Sequence, residues 1–223
     1  MKRILLTGAN GFVGRELTRI LSRSSELYIL DSLRYGDLRF SEEEQRSFKF
    51  THADIRDADT IRCAMERIVP DVIVHLAAVH FIPECESDPA GAISTNVLGT
   101  ANLLQVAPPG SHFVFASSGA VYLPDERPHQ EDASEVAPSD FYGETKFHGE
   151  QYVRRYARQR GFDATIVRLF NVVGPGETNP HLLPEIVAQL KAGRDKILLG
   201  NTWPKRDYID VLDAADGFAL IAL

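Results

Sequence analysis

The chain has 223 residues, of which 44% are hydrophobic, 25% charged and 9% aromatic, values that are ordinary for a globular protein. Lys and Arg number 24 against 31 Asp and Glu, a formal net charge of −7, so we expect neither nucleic acid nor a membrane surface as a partner, because both attract basic proteins. No run approaches the roughly 18 apolar residues of a membrane span, the start is too short in apolar residues for a signal peptide, and Cys63 and Cys85 fit no disulfide framework. These features predict a cytoplasmic globular protein.

Short apolar runs alternate with amphipathic segments from residue 4 to residue 169. Predicted strands cover residues 4–7, 27–30, 48–52, 72–76, 113–116 and 164–169. Predicted helices cover residues 12–22, 55–68, 90–106 and 142–159. Strands that alternate with helices form a parallel sheet covered by helices on both faces. The pattern therefore predicts an α/β protein with a doubly wound parallel sheet.

Three glycines lie between the first predicted strand and the first predicted helix, in the spacing GxxGxxG. Gly8 and Gly11 permit a tight turn and bring backbone N–H groups close to a phosphate, and Gly14 lets the helix lie against the sheet. The N-terminus of that helix adds a partial positive charge. Glycines also occur in ordinary turns, but this position in the chain predicts a dinucleotide site.

Asp31 ends the second predicted strand, about 20 residues beyond the glycines, where a carboxylate binds the ribose hydroxyls of NAD and repels the 2′-phosphate of NADP. An ordinary turn aspartate is the alternative interpretation. Arg34 keeps NADP open, because arginine can accept a 2′-phosphate. We predict NAD as the cofactor.

Tyr142 and Lys146 lie four residues apart on a predicted helix and so share one face. Ser118 follows the strand 113–116, at the strand end where open α/β sheets bind ligands. Taking a hydride from an alcohol carbon also requires a base for the hydroxyl proton, and a free tyrosine pKa near 10 is too high for that. A nearby lysine cation and an oxidised nicotinamide favour the phenolate. We therefore predict Tyr142 as the base, Lys146 as the group that lowers its pKa, and Ser118 as the hydroxyl that holds the reacting oxygen.

Five segments together resemble the extended short-chain dehydrogenase/reductase family, in its nucleotide-sugar epimerase/dehydratase branch. They are TGANGFVG at 7–14, VHLAA at 74–78, NVLGT at 96–100, SSGAVY at 117–122 and YGETK at 142–146. The resemblance extends from residue 2 to the end of the chain. It implies a Rossmann-type sheet, NAD, and a nucleotide-diphosphate sugar as the substrate.

The resemblance also assigns residues to roles. The implied cofactor contacts are Gly8, Asn10, Gly11, Phe12, Val13, Gly14, Asp31, Asp54, Ile55, Leu76, Ala77, Ala78, Asn96, Tyr142 and Lys146. The implied substrate contacts are Ser118, Gly119, Asn171 and Arg206, the last suited to a diphosphate by its planar fork of donors. His80 joins them as a candidate, because the stretch 79–85 lies where the substrate or nicotinamide pocket is expected. Ser118, Tyr142 and Lys146 match the catalytic triad.

Family dehydratases carry an Asp-Glu pair after the catalytic hydroxyl residue, whereas this chain has Gly119 and Ala120 there. That difference favours an epimerase, which oxidises the sugar transiently to a keto sugar and returns the hydride. The alternatives are a dehydratase or ketoreductase with the same triad, or a non-catalytic dinucleotide-binding redox sensor.

The pattern changes after Asn171, so we divide the chain into a dinucleotide-binding domain at residues 1–170 and a partial substrate-binding lobe at residues 171–223. Members of the family have longer chains, so we expect the C-terminal lobe of this chain to be small and incomplete. The resemblance also implies a homodimer that pairs through the helix at 142–159. We expect no metal, because no Asp, Glu, His or Cys cluster has ligand spacing, and we expect His75 to be a core residue.

Overall fold

The computed structural model describes residues 1–177, 179–203 and 205–223. Six strands form one parallel sheet in the order β3-β2-β1-β4-β5-β6. These are β1 (Arg3–Thr7), β2 (Glu26–Asp31), β3 (Lys49–His52), β4 (Val72–His75), β5 (His112–Ser118) and β6 (Asp163–Leu169). The direction of winding reverses between β1 and β4, and ligands bind beyond the carboxyl ends of the strands at such a point. The predicted Rossmann-type sheet is confirmed.

Helices connect the strands and cover both faces of the sheet. They are α1 (Phe12–Leu21), α2 (Glu42–Gln45), α3 (Ala58–Ile68), α4 (Ile82–Ser87), α5 (Pro89–Ile93), a π-helical segment (Ser94–Gly99), α6 (Thr100–Val106), a 3-10 turn (Gly119–Val121), α7 (Phe141–Arg160), α8 (Leu182–Lys191) and α9 (Val211–Ala222). Two further strands, β7 (Asn171–Val173) and β8 (Tyr208–Asp210), pair in parallel as a small separate sheet. The long helix α7 is capped at its N-terminus by Asp140, whose side chain accepts from the Gly143 N–H, and at its C-terminus by Gly161 with a φ of 72°.

Two of the predicted helices are wrong in detail. The helix expected from residue 55 begins only at Ala58, because the Asp57 side chain accepts from the N–H groups of residues 59 and 60 and caps it there. The helix expected over 90–106 is three pieces, since the π-helical segment separates α5 from α6. Such a segment adds a residue to one turn, and Asn96 lies within it. The sequence pattern did not predict α4, which begins with Pro83 in its first turn.

Side chains alternate along the buried strands and supply a core on each face of the sheet. In β1, Ile4 and Leu6 pack with α1 and α9 on one face. Leu5 packs with the cluster formed by α3, α6 and α7 on the other face. Strands that are apolar on both sides are typical of a parallel sheet buried by two helical layers.

The last helix, α9, packs beside α1 on the six-stranded sheet. Ala215, Phe218 and Ala222 are at most 1% exposed and belong to the same core cluster as Leu17 and Leu21 of α1. The division of the chain at residue 170 stays a prediction, and α9 is the part of the second segment that completes the core of the first.

His75 is 2% exposed and lies on the opposite face of the sheet from α9, with its ring 6.0 and 5.8 Å from the ring centres of Phe113 and Phe115. Its Nδ1 is 2.7 Å from the Thr7 hydroxyl and its Nε2 is 2.9 Å from the Thr100 hydroxyl. Because Thr100 donates its own proton to the Asn96 carbonyl at 2.6 Å, its oxygen accepts from Nε2–H, and Nδ1 accepts from Thr7. Burial lowers the pKa of His75 to about 3, so this histidine is neutral and structural.

None of the helices in the described part of the chain combines the length and the apolar character that a membrane span requires.

Candidate active site

One long cleft runs along the carboxyl ends of the strands, with a volume of about 2490 Å³. Pockets for one small molecule reach about 1,000 Å³, so this cleft has room for two ligands. Every predicted site residue except Asn96 lines it: Gly8, Asn10, Gly11, Phe12, Val13, Gly14, Asp31, Asp54, Ile55, Leu76, Ala77, Ala78, His80, Ser118, Gly119, Tyr142, Lys146, Asn171 and Arg206. The fold therefore brings the predicted cofactor, catalytic and substrate residues to one surface.

The glycine loop forms the floor of the cleft between β1 and α1. Gly8 has a φ of 74°, and a Cβ there would lie 2.6 Å from the Ala77 backbone nitrogen. A Cβ on Gly14 would lie 2.1 Å from the Gly8 carbonyl oxygen. No described side chain caps α1 at Gly11, and its first turn holds no acidic residue. The backbone N–H groups at this helix N-terminus are thus suited to a pyrophosphate, and the loop fits a dinucleotide.

The end of β2 fits the adenosine ribose of NAD. The Asp31 carboxylate accepts from the backbone N–H groups of Asn10 at 2.9 Å and Leu33 at 2.8 Å, which fixes it beside the glycine loop. Arg34, the residue that kept NADP open, forms an ion pair with Glu84 across the cleft. Because the Glu84 carboxylate neutralises the Arg34 guanidinium, the charges at the end of β2 favour the ribose hydroxyls of NAD over the 2′-phosphate of NADP.

Three other predicted cofactor residues have protein partners that define their roles. The Asp54 carboxylate accepts three hydrogen bonds from the Arg56 side chain, at 2.6 to 3.0 Å. These bonds fix the Asp54 side chain at the edge of the cleft. Ile55 is 4% exposed and lies against Gly99. Asn96 is 2% exposed, and its amide donates to the Val79 carbonyl and the Thr145 hydroxyl and accepts from the Val79 N–H. The π-helical segment thus uses Asn96 to position the cleft wall at Val79.

The three predicted catalytic residues lie together at the ends of β5 and α7. The Ser118 hydroxyl donates to the Tyr142 oxygen and accepts from the Ala120 N–H at 3.1 Å. Lys146 is 4% exposed; its Nζ donates to the Ala116 carbonyl at 2.8 Å and lies 5.8 Å from the centre of the Tyr142 ring. The arrangement places a phenol, a hydroxyl and an amine at the point where the two parts of the cleft meet.

The protein alone raises the tyrosine pKa, whereas the sequence-based expectation of a lowered pKa includes the charge of an oxidised nicotinamide. Burial raises the pKa of Tyr142 to about 12, while its hydrogen bond to Ser118 acts in the opposite direction. Burial also lowers the pKa of Lys146 to about 8. The Lys146 ammonium points to a backbone carbonyl, so in the free protein it does not offset the desolvation of the phenol. A lowered tyrosine pKa therefore requires positive charge from the bound cofactor.

The predicted substrate residues form the far part of the cleft. β7 and β8 bring Asn171 beside the segment 206–208, where the Asn171 amide donates to the Asp207 carbonyl at 3.0 Å. Arg206 is exposed and donates only to the neighbouring Lys205 carbonyl among the described residues, so its guanidinium is available to an anion. A side chain on Gly119 would lie 2.7 Å from the Phe170 ring.

A buried ion pair beneath the catalytic residues was not predicted. Glu150 is 1% exposed and accepts from the Arg168 guanidinium at 2.7 and 2.8 Å and from the Ser117 hydroxyl at 2.6 Å. The guanidinium also lies 4.7 Å from the centre of the Tyr122 ring, a cation–π distance. Glu150 follows Lys146 by four residues, so the two side chains share one face of α7. That helical spacing is the only sequence signal that would have predicted Glu150 near the end of β5.

Comparisons with known proteins agree with this geometry. The model of the NAD dependent epimerase/dehydratase family matches residues 4–223. The chain is 35% identical to the UDP-glucose 4-epimerase of Mycolicibacterium smegmatis, over 97% of this chain and 72% of that protein. It is 28% identical to the dTDP-glucose 4,6-dehydratase of Salmonella typhimurium, over 98% of this chain and 68% of that protein. The structure of Thermus thermophilus UDP-glucose 4-epimerase in complex with NAD superposes with a TM-score of 0.84 at 27% identity, covering 99% of this chain and 74% of that chain.

Proposed function

Because the chain belongs to the NAD-dependent epimerase/dehydratase family, we propose that it is a 4-epimerase of a uridine- or thymidine-diphosphate sugar. Membership confirms the family, the enzyme class and the cofactor NAD that the sequence predicted. The relatives include both epimerases and dehydratases, so the choice between the two reactions depends on the site itself.

The glycine at position 119 is the main observation that favours an epimerase over a dehydratase. Elimination of water from a sugar requires an acid and a base close to the carbon chain, and family dehydratases place two carboxylates directly after the catalytic hydroxyl residue. Here those positions are Gly119 and Ala120, and the Phe170 ring lies where a side chain on Gly119 would extend. The chain therefore retains the groups for hydride transfer and lacks the carboxylate pair for dehydration.

Each residue of the triad has a role that follows from its position. Bound NAD supplies a reversible hydride acceptor and a positive charge. Tyr142, as the phenolate, takes the proton from the sugar hydroxyl and later returns it to the keto sugar. Ser118 holds the reacting oxygen next to that phenol, and Lys146 provides a cation at the base of the same pocket. Asn171 and Arg206 are the proposed diphosphate contacts.

The test has two stages. The protein is purified without added cofactor and denatured, and we expect mass spectrometry to identify released NAD. The purified protein is then incubated with UDP- and dTDP-sugars, and products are separated by ion-pairing chromatography. We expect a product of unchanged mass and altered retention, absent with Tyr142→Phe. A product lighter by one water would identify a dehydratase instead, and net oxidation of NADH or NADPH would identify a ketoreductase. Full biological activity of Tyr142→Phe would indicate a non-catalytic redox sensor.

The proposed enzyme is a homodimer that pairs through α7. The helix presents Tyr152, 38% exposed, beside a shallow groove formed with Arg155, whereas Val153 of the same helix is fully buried in the core and cannot contact a partner. Light scattering should give the mass of two chains, and Tyr152→Glu should give the mass of one. Glu66→Lys on α3 is the control and should remain dimeric. A wild-type mass of one chain would refute the dimer.

A further inference from the structure

Two histidines and a glutamate meet at the substrate end of the cleft, His80 from one part of the chain and Glu177 and His181 from another. His80 follows β4, Glu177 follows β7, and His181 directly precedes α8. Their ligand atoms all lie within 4.8 Å of one another. Ligands of a tetrahedral zinc ion are about 3.4 Å apart, from bond lengths of about 2.1 Å, so side-chain rotations of about an ångström would complete the set.

We propose that His80, Glu177 and His181 bind a divalent transition metal of the zinc type, and that this ion joins His80, which follows β4, to the two residues that precede α8. Imidazole and carboxylate ligands suit zinc, cobalt and nickel, whereas magnesium and calcium favour sets made only of oxygen. All three side chains line the cleft. An ion held by three protein ligands keeps a coordination position open, which would accept water or an oxygen of a molecule in the cleft.

His80 is already oriented for this role. Its Nε2 lies 2.8 Å from the Asn179 amide nitrogen, so this ring nitrogen already points at a polar partner inside the cleft wall. In the metal-bound state the ion would replace the Asn179 amide on Nε2.

The other two ligands are also placed by contacts outside the set. The Arg15 guanidinium of α1 donates to the Gly176 carbonyl at 2.6 Å, which anchors the loop that carries Glu177. The His181 ring packs edge-on against Phe81, with ring centres 5.5 Å apart. Glu177 and His181 are four residues apart, but His80 comes from a distant part of the chain, so spacing along the chain alone led to the expectation of no metal.

Binding is tested on the full chain with its cofactor, after treatment with a chelator and dialysis. Calorimetric titration with Zn²⁺ should show one ion per chain, and Co²⁺ should give the visible absorption bands of a low-symmetry site. We expect His80→Gln and His181→Gln each to weaken Zn²⁺ binding at least roughly tenfold, since loss of even an outer-shell partner has that effect. His148→Gln is the matched control, because it removes an exposed histidine of α7 that lies outside the proposed set. The His148 Nε2 is 3.9 Å from a Glu144 carboxylate oxygen.

Two further variants keep the test independent of folding. Asn179→Ala removes the amide that competes for Nε2, so it should retain or strengthen Zn²⁺ binding, while Glu177→Gln should weaken it with little change in side-chain size. Circular dichroism and retained NAD report that each variant is folded. Absence of Zn²⁺ binding by the folded wild type would overturn the proposal, as would binding lost in His148→Gln but kept in His80→Gln. The result does not depend on which sugar the enzyme epimerises.

Discussion

Replacing Glu150 by leucine removes the acidic half of the buried ion pair beneath the catalytic residues. The side chain of Arg168 is only 11% exposed, so in Glu150→Leu its charge stays buried without a carboxylate, beside the Tyr122 ring and with the Glu131 carbonyl at 3.4 Å. Removing one member of such a pair destabilises a protein by about 3–5 kcal/mol. The Ser117 hydroxyl loses its acceptor as well, which places the expected loss in unfolding free energy at the upper end of that range.

Urea unfolding followed by far-ultraviolet circular dichroism measures this loss; fluorescence is less suitable, because Trp203 is 91% exposed. Replacing both partners, Glu150→Leu with Arg168→Met, removes the unpaired charge, and we expect the double variant to recover most of the lost stability. Arg154→Met is the control, since Arg154 reaches the same carboxylate from the exposed side at 3.4 Å and should cost no more than about 1 kcal/mol. A loss below 1 kcal/mol for Glu150→Leu, or a double variant no more stable than the single one, would refute the reasoning.

Three more predictions follow from other parts of the fold. Gly14→Ala should abolish retention of NAD after purification, because its Cβ would lie 2.1 Å from the Gly8 carbonyl oxygen. Gly217→Ala is the control, since a Cβ there meets nothing within 4 Å. This variant should retain NAD, and its unfolding free energy should rise by about 0.5–1 kcal/mol because alanine favours the helix. His75 takes up a proton near pH 6.5 in the unfolded chain but only near pH 3 in the folded protein. The unfolding free energy should therefore fall by up to about 5 kcal/mol as the pH drops from 6.5 to 3. Urea titrations of His75→Leu over the same pH range should show a shallower fall. Glu84→Gln releases Arg34 from its ion pair and should improve NADP binding relative to NAD by at least roughly tenfold, as measured by calorimetry; an unchanged ratio would mean that Arg34 does not face the ribose.

Local sequence motifs predicted the parts of the site that depend on short spacing. Gly8, Gly14 and Asp31 follow from one strand–turn–helix–strand unit, and the pairing of Tyr142 with Lys146 follows from one helix turn. These features need no knowledge of long-range contacts, and the cleft contains all five residues.

The features that the sequence missed depend on residues that meet only after folding. Asn96 was expected to contact the cofactor, but the π-helical segment turns it toward Val79 and Thr145. The raised pKa of Tyr142 comes from burial by several elements, which spacing along one helix does not reveal. The ion pair of Arg34 with Glu84 joins the end of β2 to α4, a short helix that periodicity did not predict.

The position of α9 has a consequence for synthesis of the protein on the ribosome. The strand β1 and the helix α1 leave the ribosome long before α9, yet part of the surface that buries them is supplied by Phe218 and Ala222 of that helix. The Lys2 ammonium even donates to the Leu223 carbonyl at 2.7 Å. Contacts between such distant residues slow folding, so the nascent sheet with α1 carries an exposed apolar face until translation has passed residue 222. A chaperone that binds apolar segments would meet that face during elongation, before NAD has a finished site to occupy.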